Sequence, residues 1–319
     1  MAPLRCFQTS RPDLKHSAVT VKASLLVDDA NFFACAASAR LWESLLQRYR
    51  IPFLLLLVAD VRMVLDHAPM ALLLYRELQM TIQDMNLASW IAESDETLSF
   101  TRRVTETRLS IEYAPGQKWR PERLSEPFPQ FKLSKETHSE IEKLWSEVSQ
   151  LENANRDLKT FHSIHTNGIE GVGTLEDSVG RDEALANKHL MRLMTVTSVT
   201  ALSRVMEIAT SEHLTLTPAI ICELHHVMLQ GTQTVYLDDR DKLKYCAVGV
   251  TRQATQTNVT ARLPTGKMIQ FCPHAEVDSY MAYFCHRFNS LDEDQLDVYA
   301  CAAWISQNFI DLHPFEVSL

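Results

Sequence analysis

The pattern of apolar and polar positions divides the chain unevenly. Arg40 to Arg50 and Val61 to Met80 carry their apolar residues at helical spacing, whereas Leu109, Ile111 and Tyr113 alternate as a short strand over Arg108 to Tyr113 would. The longest apolar run, Phe53 to Ala59, is stopped by Asp60 and Arg62. It fits a buried helix segment or a core strand, and it falls far short of the roughly 20 residues that span a bilayer. From Ala114 to Phe131 the pattern gives way to Pro115, Gly116, Pro121, Pro127 and Pro129, a linker or an extended wrap. The main boundary falls there. It separates an N-terminal region (1–113) of unassigned role, a Pro-rich linker (114–132) and a C-terminal domain (133–319).

Periodicity is clearer after the linker. Thr137 and Glu140 form a capping-box pattern ahead of a helix with Ile141, Leu144, Val148 and Leu151 on one face, resuming at Leu158, Phe161 and Ile164. That stretch breaks at His165-Thr166-Asn167-Gly168. A second long helix is expected from about Asp182 to Ala209, and a third from Pro218, capped by Thr217 and closed by Gly231. Between Gln253 and Phe271 the period changes to two. Val259, Ala261 and Leu263 alternate, Pro264-Thr265-Gly266-Lys267 supplies a turn, and Met268 and Ile269 restart a strand. Two helices follow, roughly His274 to Phe288 and Asp292 to Leu312, the latter stopping at His313-Pro314-Phe315. The expected fold is mainly α with one β-hairpin.

Composition narrows the function classes. The chain has 319 residues, 46% of them hydrophobic, which suffices for a buried core and excludes wholesale disorder. Only 8 glycines argue against Gly-rich nucleotide loops. A net charge of −9 opposes a nucleic-acid footprint and polybasic membrane binding. Seven scattered cysteines without a CxxC pair favour reduced thiols, hence a cytoplasmic or nuclear setting. The first 15 residues are basic and acid-poor but lack a following apolar run. That argues against a secretory signal and leaves a mitochondrial presequence open.

The tripeptide His313-Pro314-Phe315 carries the most chemistry. Proline restricts the residue before it, so the histidine stands outside the helix, with an imidazole suited to general-base work at neutral pH. By itself such a His-Pro is an ordinary helix end. Three further features accompany it: the hairpin upstream, Gly249-Val250-Thr251-Arg252 opening that hairpin, and Thr166-Asn167-Gly168-Ile169-Glu170-Gly171 closing the earlier helix. This order, over roughly 134–315, resembles the Fic (Fido) family, whose helical core carries an H-P-F-x-[DE]-G-N-G-R loop.

The resemblance implies a Fic-like helical bundle with a β-hairpin flap, acting as a protein adenylyltransferase. Such an enzyme moves AMP from ATP, with Mg²⁺, onto a hydroxyl side chain of a target protein. His313 matches the general base and Phe315 the loop anchor. Thr251, Arg252, Val259, Thr260 and Ala261 match the flap that docks the target by strand addition. Thr166, Glu170 and Gly171 match the family's [ST]-x-x-x-[DE]-[GN] inhibitory pattern, in which Glu170 pairs with a loop arginine and misplaces the γ-phosphate. A homodimer is left open.

The sequence departs from the family where Glu316-Val317-Ser318-Leu319 replaces the rest of the loop. Val317 stands at the acid position that holds Mg²⁺, and the glycines and arginine that would cradle phosphate are missing. A C-terminally truncated domain, inactive as written, is therefore expected. The alternative is a non-catalytic helical protein-interaction module derived from a Fic domain. Other constellations read more plainly. His162 and His165 share a helix face without a third ligand in view. Cys272 with His274, and Cys285 with His286, sit among apolar residues as structural thiols would. Asn258-Val259-Thr260 is a sequon on the polar face of the hairpin.

Overall fold

A computed structural model of the chain describes residues 32–149, 197–229, 234–237, 242–291 and 297–316, apart from positions 66, 114, 115, 129–131, 198 and 209–214. The described residues are mainly helical, with two antiparallel two-stranded sheets, and divide into two units. The first takes Met1–Glu112 with Gly231–Ala247, the second Tyr113–Gln230 with Val248–Leu319. Residues 231–247 thus leave the C-terminal domain to which the sequence pattern assigns them.

In the first unit, α1 (Phe32–Arg48), α2 (Pro52–Val64), α3 (Ala68–Ile82) and α4 (Met85–Glu112) follow one another. Pro52 occupies the first turn of α2, where its missing N–H costs no hydrogen bond. The Phe53–Ala59 run is accordingly a helix, burying Leu54, Leu55, Val58 and Ala59 against Trp42, Leu72 and Leu78. A charged pair lies inside this apolar cluster. Arg62 donates from Nε and Nη2 to the two Glu43 carboxylate oxygens at 2.7 and 2.8 Å, and from Nη1 to the Met70 carbonyl at 3.1 Å. Its guanidinium also sits 4.7 Å over the ring of Tyr245. Tyr245 ends β2 (Lys242–Tyr245), which pairs with β1 (Thr234–Leu237). Its N–H bonds the Leu65 carbonyl at 3.0 Å, and the His67 ring meets its ring edge-on at 5.3 Å. This long-range seat brings residues 231–247 into the first unit.

The strand expected over Arg108–Tyr113 is not formed. α4 continues helically to Glu112, and only Tyr113 makes a bridge, to Met268. Once a helix is nucleated, each added residue gains a bond for little entropy, and three alternating apolar positions cannot outweigh that.

The second unit contains α5 (Lys135–Ser149), a helical stretch at 199–208, α6 (Pro218–Leu229), a short α7 (Arg252–Thr255), β3 (Thr260–Arg262), β4 (Met268–Gln270), α8 (Val277–Asn289) and α9 (Val298–Leu312). Ser134 caps α5, its hydroxyl accepting from the Thr137 N–H at 3.1 Å. The cap is therefore three residues earlier than the Thr137 pattern suggests. Thr217 does cap α6, through Ile220 N–H at 3.3 Å. Asp297 caps α9 with one carboxylate oxygen that accepts from Tyr299 and Ala300 N–H. The rest of the long helix expected from Asp182, the turn at Gly231 and the pair His162/His165 lie outside the described residues. Among the described residues no helix is long and apolar enough to cross a membrane.

The Pro-rich segment is a wrap in this unit rather than a free linker. Leu124 is 1% exposed in a core shared with Ile221, Met281, Phe284 and Trp304. Arg123 reaches Asp311 on α9 at 2.6 Å, and Arg287 on α8 donates to the Glu126 carbonyl at 2.8 Å while covering the Phe128 ring. Leu124→Ala is expected to cost roughly 2 to 3 kcal/mol in a denaturant melt of the chain, the lower range for a buried leucine. A free linker would lose almost nothing.

Candidate functional site

The site is built on the C-terminal end of α9. The helix stops because His313 adopts a left-handed backbone, φ 43, its N–H still bonding the Phe309 carbonyl at 2.9 Å. A non-glycine residue pays for that conformation in sterics, and here it turns the chain sharply into Pro314. The imidazole is not left projecting, as the sequence pattern suggests. His313 is 9% exposed, its ring 4.5 Å from that of Phe271.

The hydrogen bond at the ring fixes its chemistry. His313 Nδ1 lies 2.9 Å from the Phe315 carbonyl oxygen. A carbonyl can only accept, so Nδ1 carries the proton of the neutral ring and Nε2 holds the lone pair. Burial pushes the imidazole below its ordinary 6.5, the Phe315 bond works against this, and the Arg252 charge adds to it. The ring thus stays neutral at pH values where an ordinary histidine begins to protonate.

That depression has a sign for stability. As pH falls through about 6.5 the unfolded chain takes up a proton at this position that the folded ring resists, so folding weakens. Between about pH 7.5 and about pH 5.5, the wild-type chain should lose more denaturant stability than His313→Gln. Equal losses would mean that His313 titrates normally.

Phe315 anchors the turn. It is 6% exposed, and its ring stacks on His225 of α6 with centroids 3.7 Å apart and planes 4° from parallel. His225 Nδ1 in turn accepts the Gly249 N–H at 2.9 Å. Gly249 has φ +73, and a Cβ there would come within 2.8 Å of the His226 Cβ, so only glycine lets this loop close on α6.

Two residues expected on the flap are elsewhere. Thr251 and Arg252 are buried ahead of the hairpin, Thr251 bonding Asp278 on α8 at 2.6 Å. Arg252 points inward, at main-chain carbonyls, because its neighbours leave it 0% exposed. It therefore cannot meet a target segment. Val259 immediately precedes β3, and Thr260 and Ala261 lie on it, all three half-buried, in register with β4 through Thr260–Gln270 and Ala261–Ile269. One edge of β4 is covered by the Tyr113 bridge and by Gln117, whose carbonyl accepts from Gln270 N–H at 2.9 Å. Among the described residues β3 pairs only with β4.

Thr166, Glu170 and Gly171 lie outside the described residues, as does Val317. No protein-family model matches this chain, and no curated protein is significantly similar to it.

Among the described residues no group of three or more His, Cys, Asp or Glu is placed to hold a metal ion. Glu316 lies close enough for its charge to act on Arg252. Two buried cysteines are poor nucleophiles. Burial pushes the Cys272 thiol up to about 12 and the Cys285 thiol up to about 11, so both stay protonated. Cys222, Cys246, Cys272, Cys285 and Cys301 form no disulfide. The sequon residue Asn258 accepts the His274 N–H at 2.8 Å, a contact within the unit that explains its polarity.

Proposed function

We propose that the second unit is the helical core of a Fic-type protein adenylyltransferase, and that these 319 residues hold its general base without its phosphate-binding loop. The observation that carries this reading is His313 itself. It sits at a helix end in a left-handed turn, with Nδ1 engaged and Nε2 free to accept a proton, and its neighbour Phe315 locks the turn onto α6. The reaction half that these residues supply is proton transfer. A hydroxyl of a target protein, lying along the edge of β3 that no described strand covers, would give its proton to Nε2 as its oxygen attacks the α-phosphorus of ATP and the α–β phosphoanhydride bond breaks to release pyrophosphate. The phosphate-stabilising half needs the acid, glycines and arginine that the family carries after Phe315.

The test compares two polypeptides with labelled ATP, Mg²⁺ and cell lysate. The 319-residue chain should label nothing above a His313→Ala control. The same chain continued after Phe315 with a family loop and its following helices should label target proteins. Robust His313-dependent labelling by the 319 residues would contradict the missing-loop argument. A folded but inert extended chain would instead favour the non-catalytic interaction module.

In the active extended chain, Glu170 is the proposed brake. Its carboxylate would pair with the supplied arginine and hold the γ-phosphate away. A charge-assisted pair contributes about 1.5 to 3 kcal/mol, so Glu170→Gly should raise labelling by roughly one to two orders of magnitude. Glu176 and Glu183 substitutions, outside the pattern, should change little. Unchanged labelling in Glu170→Gly would show that Glu170 is not a brake.

A further inference from the structure

Arg252 is a buried cation whose side-chain hydrogen bonds all go to main-chain carbonyls. Its Nε donates to the His313 carbonyl at 2.5 Å. One Nη donates to the Leu312 carbonyl at 3.1 Å and the Cys272 carbonyl at 2.6 Å, and the other to the Thr257 carbonyl at 3.1 Å. Its backbone N–H takes the Pro314 carbonyl at 2.8 Å. The carbonyls at 312, 313 and 314 are thus all held by one residue, and the next in line, that of Phe315, is left to the His313 ring. Two of these acceptors lie at the C-terminal end of α9, where unpaired carbonyls and the helix dipole favour a cation. A planar guanidinium alone has enough donors in fixed directions to reach this set at once.

We infer that Arg252 is a positioning residue for His313: by fixing three successive peptide planes it holds the left-handed turn and aims the Phe315 carbonyl at Nδ1, selecting the tautomer that leaves Nε2 as the proton acceptor. The left-handed backbone of His313 is intrinsically unfavourable and needs such an external hold. Without the fork, the turn relaxes, the Phe315 carbonyl drifts off Nδ1, and the proton redistributes between the ring nitrogens. This rests on the reading of His313 as a base only for its catalytic meaning. The orientation it describes is measurable with no transfer reaction at all.

The experiment is nitrogen-15 NMR of the whole chain at a pH where the ring is neutral, with the His313 signals identified by their loss in His313→Gln. The wild-type ring should be in the Nδ1–H form, and the Arg252 Nη–H signals should be protected from solvent exchange. In Arg252→Lys, which keeps the charge but not the fork, the tautomer ratio should move roughly tenfold toward Nε2–H, about the effect of losing one net hydrogen bond. Arg287→Lys removes another guanidinium that holds a carbonyl of the same unit and should lower the melting temperature without moving the ratio. An unchanged His313 ratio in Arg252→Lys would overturn the proposal and leave Arg252 a structural clamp. If that variant does not fold, the wild-type chain decides: rapidly exchanging Nη–H protons on Arg252, or an Nε2–H form of His313, would overturn it equally.

Discussion

In the chain extended by a family loop, His313→Ala should lower the initial rate of AMP labelling by about 10² to 10⁴, the range that a positioned general base contributes. The residue also carries structure, through its bond to the Phe315 carbonyl and its contact with Phe271, so lost activity alone would not identify a base. The backbone offers a separation. His313 sits at φ 43, where glycine is at ease and other residues are not. His313→Gly should therefore melt higher than His313→Ala, by about 1 kcal/mol of relieved strain, while being just as inactive. An equally stable pair would show that the left-handed turn relaxes in the variants. A variant retaining more than about a tenth of the wild-type rate would show that His313 is not the base.

The parts of this site that were readable in the sequence are those set by neighbours in the chain. A helix running into His313-Pro314, a hairpin turned by Pro264 to Lys267, and the Thr217-Pro218 start of α6 each depend on a handful of adjacent residues. What stayed hidden depends on partners far away. Arg252 looks like a hairpin arginine because its acceptors are carbonyls contributed by residues 257, 272, 312 and 313, and a carbonyl leaves no mark on residue identity. Gly249 was the available signal. With few glycines in the chain, one ahead of an arginine invites the question of what must approach it closely, and the answer is α6.

The units divide between Glu112 and Tyr113, where the Pro-rich stretch begins, but the membership of that stretch and of residues 231–247 depends on distant partners. A Pro-rich stretch suggests a break, yet Leu124 and its neighbours fill a core whose other members begin nearly a hundred residues later. Residues 231–247 carry no pattern that separates them from the helices around them. What seats them is Tyr245, against the carbonyl of Leu65, the ring of His67 and the guanidinium of Arg62. None of these pairings has a local signature. An arginine and a glutamate on amphipathic helices read as surface charges until the fold turns both inward.

That inward pair sets the largest stability effect expected in the first unit. Arg62 and Glu43 are 7% and 6% exposed and bond through two parallel contacts, a geometry that holds only if both charges are present. Arg62→Met should leave the Glu43 carboxylate buried without its cation, costing about 3 to 5 kcal/mol. It also strips the Met70 carbonyl of a donor and the Tyr245 face of its cation. The double variant Arg62→Met with Glu43→Met removes both charges and replaces them with apolar volume, so it should recover a substantial part of that loss. Denaturant melts of the two single variants and the double variant give the coupling directly. A double variant as unstable as the sum of the singles would mean that the charges do not act on each other. Packing against Tyr245, rather than the ion pair, would then be what joins residues 231–247 to the helices.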